Sequence, residues 1–234
     1  MENVIYGQSY LLELEESLPN AEALSDLIIA SETAGVWFKP QFQRLGMYVQ
    51  DLLEKLGYMH YSMELLNDCS NRLLPDTYGK FYFYAFVYLA KATHDIGALV
   101  LNEVLKLGIP IGGNVDLSKE KGFMGPLEKS NRKVASEIRQ FESTIQKVDK
   151  WRDATIHNTG IRLLRLSSSE SGATDYRVPK EPLSQAQMMS KSTNLLKGTV
   201  IAREFCRDIL WGTSKLVDSI LAIAGSEIGQ KRYP

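Results

Sequence analysis

Residues 75–110 read PDTYGKFYFYAFVYLAKATHDIGALVLNEVLKLGIP, a long proline-free run held between Pro75 and Pro110. Its apolar residues (Phe81, Phe83, Phe86, Leu89, Ile96, Leu99, Leu101) lie nearly all round a helical wheel, so the segment reads as one helix, the most buried of the chain. Lys91, His94, Asp95 and Glu103 interrupt it, which makes it a poor membrane span. The remaining prolines, at 19, 40, 126, 179, 182 and 234, leave 41–74, 127–178 and 183–233 equally free of proline. Proline inside a helix costs about 3 kcal/mol, so each such stretch is expected to be helical, with a shorter helix over 20–34 ahead of Pro40.

Periodicity supports this segmentation. Val134, Ile138, Phe141, Ile145 and Val148 fall three and four apart, predicting one amphipathic helix over 131–157. In the last stretch Met188, Leu195, Ala202, Ile209, Leu216 and Ile223 recur every seven residues, broadened by Leu196, Phe205, Ile220 and Leu221. The small residues Ser192, Thr199, Cys206 and Thr213 lie beside that stripe and suit close helix approach. Two stretches break the pattern. Residues 108–126, with Gly108, Gly112, Gly113, Gly122 and Gly125, predict a loop. After Gly160, alternating Ile161–Leu166 and Tyr176–Val178 flank the serine-rich run from Ser167 to Asp175, predicting a short β-hairpin. The fold class is therefore all-α, a helical bundle of four to six helices with a small β-hairpin. Residues 1–40 form an N-terminal segment whose short helix packs on the bundle, and 41–234 form the bundle, a single domain overall.

The composition narrows the function classes. At 234 residues and 44% hydrophobic, the chain can bury a core without disulfide or metal support. Cys69 and Cys206 form no Cys-x-x-Cys pair, and Met1 to Ser17 carries four glutamates and no basic residue. A disulfide scaffold, a zinc ribbon and a targeting peptide are thus not expected, and the chain reads as cytoplasmic. The net charge of −1 hides an asymmetry, because residues 1–79 carry −8 whereas 129–180 carry +5. A general nucleic-acid coat would be basic throughout. Anion binding here would have to be local to 129–180.

Familiar catalytic signatures are missing: no phosphate loop, no dinucleotide fingerprint and no nucleophile elbow. His60, His94 and His157 lack a second His or Cys at ligand spacing, so no metal site and no cofactor is expected. His60 and His94 read as packing or surface residues, and the aromatic run 81–88 as core. What remains is Trp151–Arg152–Asp153–Ala154–Thr155–Ile156–His157–Asn158, at the end of the amphipathic helix and inside the basic segment. Arginine offers a permanently charged fork suited to phosphate, and histidine moves protons near neutral pH. Asp153 precedes His157 by four residues, which on a helix would aim its carboxylate at the imidazole. Arg152 and His157 lie about 140° apart around a helix, so both reach one phosphate only through long side chains or a partner helix across a two-fold axis. The same residues also fit a surface ion-pair cluster at a helix end.

The motif, Arg152 with a polar Asp153 and then His157, resembles that of the HEPN superfamily. The aromatic entry Tyr82–Phe83–Tyr84–Ala85–Phe86, leading into Lys91, Asp95 and Asn102, extends the resemblance to 80–107. It implies a bundle of four or five helices that pairs as a homodimer with two motifs facing each other. It also implies a metal-independent endoribonuclease, often a toxin or defence component with a cognate antitoxin protein. In those terms Arg152 binds the scissile phosphate, His157 is the acid/base, Asp153 positions them, and the RNA 2′-hydroxyl is the nucleophile. Asp95, Asn102, Asn158 and Lys150 are the accompanying substrate-binding candidates. Other members are inactive or bind only nucleotide, RNA or a partner protein, and a purely structural bundle remains a further alternative.

Overall fold

The computed structural model describes residues 40–69, 75–112, 115–156, 163–167, 174–182 and 198–230. The expected helix over 20–34 lies outside them, as do residues 168–173 of the hairpin tip expected over 167–175, whose ends Ser167, Thr174 and Asp175 pair in strands. The elements are α1 (Pro40–Asp68), α2 (Pro75–Val104), a π-helical turn (Glu120–Met124), α3 (Gly125–Ser130), α4 (Arg132–Arg139), α5 (Glu142–Ile156), β1 (Leu164–Ser167), β2 (Thr174–Pro179), β3 (Thr199–Ile201) and α6 (Ala202–Gln230). The fold is an all-α bundle with a small antiparallel sheet. Both Pro40 and Pro75 open helices, where the missing N–H costs nothing. Along α1, Leu45, Val49, Leu52, Leu56, Met59, Met63 and Leu66 are buried at alternating spacings of four and three.

The chain divides into two compact units, Met1–Gly57 with Ala92–Ile145 and Gly212–Pro234, and Tyr58–Lys91 with Gln146–Trp211. In the first unit, Arg44 Nε donates to Glu103 Oε1 at 3.0 Å, linking α1 to α2. His94 Nε2 lies 3.1 Å from Thr213 Oγ1, linking α2 to α6, and both residues are buried. Helices also approach closely through glycine. A Cβ on Gly97 would lie 2.7 Å from Ile220 Cδ1, and one on Gly212 would lie 2.5 Å from Thr144 Oγ1.

Three sequence expectations change. The single helix over 131–157 is two helices, α4 and α5. Asn131 caps α4 by accepting the Val134 N–H at 3.1 Å. At its end the Gln140 and Phe141 N–H groups turn back to Glu137 and Ile138 carbonyls, tightening the chain before α5 starts. The expected loop over 108–126 is shorter than predicted, because the π-helical turn and the start of α3 occupy its end. Gly125 follows that turn with its N–H on the Glu120 carbonyl, and Pro126 sits in the first turn of α3, where it has no partner to lose. Finally, Thr199, read as a small residue beside the stripe of the last helix, lies in β3, and α6 begins at Ala202. The earlier repeat positions Met188 and Leu195, with Ser192 and Leu196 beside them, lie outside the described residues.

The second unit contains the sheet, in order β1-β2-β3, with Leu164 opposite Arg177 and Val178 opposite Val200. The hairpin predicted from sequence is present, and β3 adds a third strand that leads directly into α6. Tyr176 is buried, with its ring over Gly79 of α2, where a Cβ would lie 2.9 Å from Tyr176 Cε1. Phe83 of α2, Trp151 of α5 and Phe205 of α6 form an aromatic cluster. Trp151 meets Phe83 edge-on at 5.6 Å and Phe205 at 5.0 Å between ring centres.

Candidate functional site

Helix α5 turns Val148, Trp151, Ala154 and Thr155 inward, so Trp151, locked between two rings, fixes the rotation of its last turns. Arg152 and Asp153 follow directly and fall on the outer side. The Arg152 side chain is 33% exposed and that of Asp153 50%, and Arg152 Nη1 donates to Asp153 Oδ1 at 2.6 Å. The Thr155 hydroxyl donates to the Arg152 carbonyl at 2.6 Å, bracing the same turn. One turn earlier, Asp149 meets Lys91 Nζ of α2 at 3.1 Å. The lysine side chain is only 6% exposed, so the ion pair is largely withdrawn from water.

The predicted site residues divide as follows. Arg152 and Asp153 are together, with Asp153 Oδ1 accepting from the guanidinium. His157 and Asn158 lie outside the described residues. Lys150 is on α5 but is ion-paired with Glu181. Asp95 and Asn102 belong to the first unit. Asn102 clamps the chain beyond α2: its Nδ2 donates to the Ile109 carbonyl at 2.9 Å, and its Oδ1 accepts the Ile109 N–H at 3.1 Å. That bonding makes it a brace for the loop. His94, read as a packing or surface residue, is buried against Thr213.

The basic character of 129–180 is muted by pairing. Arg139 binds Glu120 and Glu128, Lys147 binds Asp208, Lys150 binds Glu181, and Arg165 stands 3.9 Å from Asp76. Lys147 also lies over the Phe205 ring, 4.7 Å from its centre. A count of charges along the chain could not show this, because the acids come from other elements. The aromatic run 81–88 also differs from its reading as core. Phe83 and Phe86 are buried, whereas Phe81 and Tyr88 face outward with Tyr78 of the same helix. Helical period separates them, a signal present in the sequence but masked by apolar residues on every side.

Burial sets the chemistry of two other groups. It pushes the Cys206 thiol above its ordinary range. Burial, reinforced by the neighbouring Cys69, pushes the Tyr176 phenol up as well. Among the described residues no group of three or more His, Cys, Asp or Glu is placed to hold a metal, and no helix is long and apolar enough to cross a membrane. No protein-family model, no curated protein sequence and no solved structure matches the chain.

Proposed function

We propose that the chain is a HEPN-like, metal-independent endoribonuclease in which Arg152 binds the scissile phosphodiester and His157 transfers the proton. The observation that supports this reading is the Arg152 guanidinium, set at the solvent edge of a helix end whose rotation the Trp151 cluster fixes. Asp153 on Nη1 orients the guanidinium fork, whose planar geometry suits a phosphate. The imidazole would take the proton of the 2′-hydroxyl as that oxygen attacks phosphorus. The 5′-oxygen would leave with a proton, giving a 2′,3′-cyclic phosphate and a 5′-hydroxyl. A homodimer with two facing motifs would supply the second imidazole for protonating the leaving oxygen. Because the basic segment is extensively ion-paired, affinity would rest on this local contact rather than on a broad positive surface.

The test is RNA cleavage in EDTA by wild type, Arg152→Ala and His157→Ala. The expected result is cleavage that survives chelation, is lost in both variants, and follows a bell-shaped pH profile shifted by Asp153→Asn. Binding that persists in His157→Ala, with no cleavage by any form, would replace this reading with a non-catalytic RNA- or nucleotide-binding module. Light scattering tests the dimer, and a strict monomer would remove the two-motif site.

A further inference from the structure

The ion pairing that mutes the basic segment does not reach its beginning. From Lys119 to Arg139 the chain carries six cations and three acids. The acids are all engaged: Glu120 and Glu128 bind Arg139 at 2.7 and 3.1 Å, and Glu137 accepts the Ser219 hydroxyl at 2.6 Å. Lys119, Lys121, Lys129, Arg132 and Lys133 are exposed, and none of them is ion-paired among the described residues. We propose that the π-helical turn, α3 and the start of α4 hold the phosphate backbone of an RNA strand. This rests on the reading of the ligand as RNA and adds a contact outside the Arg152 motif.

Arg139 gathers the three elements at one point of the surface, reaching Glu120 on the π-helical turn and Glu128 on α3 from the end of α4 with its own side chain 35% exposed. Arg132 precedes it by seven residues, about two turns, so both lie on one face of α4, with Val134 and Ile138 buried on the other side. Lys133 follows Arg132, Lys129 follows Glu128, and Lys119 and Lys121 flank Glu120. The segment sums to +3 in a chain whose total is −1. Helix stability does not account for this placement. Arg132 and Lys133 stand in the first turn of α4, which holds no acid, and the partial positive charge of a helix start disfavours cations there. An incoming phosphate reverses that penalty. The surface also lacks apolar anchors. Among the described residues, no large apolar side chain within 115–139 is exposed, whereas membrane and protein surfaces set such groups among their cations. Affinity for RNA then rests on the Arg152 contact and on this one stretch, with no positive surface spread over the molecule.

The experiment titrates a short fluorescent 2′-O-methyl RNA oligonucleotide, which cannot be cleaved through its 2′-oxygen, against the full chain between about 50 and 200 mM salt. Each phosphate contact to a single strand adds about 0.7 to the slope of log affinity against log salt. Lys129→Gln with Arg132→Gln and Lys133→Gln is expected to lower that slope by about 2, and Lys119→Gln with Lys121→Gln by about 1.4. A control, Lys80→Gln with Lys106→Gln and Arg207→Gln, removes as much charge from exposed positions on other parts of the chain and is expected to leave the slope unchanged. An unchanged slope in either patch variant overturns the assignment, as does an equal fall in the control. Should the triple patch variant not fold, the Lys119/Lys121 variant decides by the same criterion. Capture by phosphatidylserine vesicles with no binding of the oligonucleotide also overturns it, in favour of a membrane surface. The endoribonuclease reading fails separately. Wild type that cleaves no RNA yet gives these slope changes leaves the present assignment standing, whereas Arg152-dependent cleavage with slopes unmoved by the patch variants removes this assignment alone.

Discussion

Replacing Gly212 with alanine tests the closest helix approach in the first unit. The added Cβ would lie 2.5 Å from Thr144 Oγ1, 2.9 Å from Cγ2 and 3.3 Å from Cβ. The first two distances are far inside contact and the third is only tight, so the clash belongs to the two outer atoms of one side chain. Overpacking of this kind costs about 1–3 kcal/mol. Alanine in place of glycine inside a helix returns about 0.8–1 kcal/mol. Gly212→Ala alone should therefore lower stability by about 0–2 kcal/mol. In a Thr144→Ala background the clashing atoms are gone, and the same substitution should raise stability by about 0.8–1 kcal/mol. The coupling between the two sites is then about 1–3 kcal/mol. Urea unfolding of the four proteins, followed by circular dichroism, measures it directly. If Gly212→Ala stabilises both backgrounds equally, α5 and α6 do not approach each other there, and this packing is wrong.

Three further outcomes follow from the structure. Phe83→Ala removes a fully buried ring from the Trp151 cluster and should cost about 3–5 kcal/mol by denaturant unfolding. Asn102→Ala strands the N–H and carbonyl of Ile109 and should cost about 1–3 kcal/mol, with faster amide exchange at Ile109. The alkaline limb of stability should begin early. Cys206 and Tyr176 both have folded pKa values raised above their ordinary 9.0 and 10.0. The unfolded chain therefore loses these protons first, so the stabilisation is complete below pH 9 and falls as pH rises beyond it. Cys206→Ala should move the onset up toward the tyrosine range, and thermal melts across that interval would show no movement if the thiol is not the cause.

The candidate motif could be picked out because chain spacing alone places Arg152 beside Asp153 at the end of an amphipathic run. Its electrical setting could not. Asp149 looks like a partner for Arg152 until Lys91, fifty-eight positions earlier, is seen to hold it. Asn102, a substrate-binding candidate by the resemblance, bonds a loop that comes back to it. Gln140 and Phe141 carry no helix-breaking chemistry, so the split of α4 from α5 has no local signal. Thr199 lay beside the stripe expected of the last helix and still joined a strand, because an edge of β2 was there to pair with it.

Local rules, acting over a few residues, were enough to set the all-α class, the helix starts at Pro40 and Pro75, the stripe along α1 and the presence of a hairpin. These depend on backbone sterics and on which side chains share a face, and both are written in the order of residues. Charge neutralisation, the third strand and the tight glycine contacts were set by folding. Each needs atoms from distant parts of the chain to lie within a few ångströms, and spacing along one segment carries no information about them.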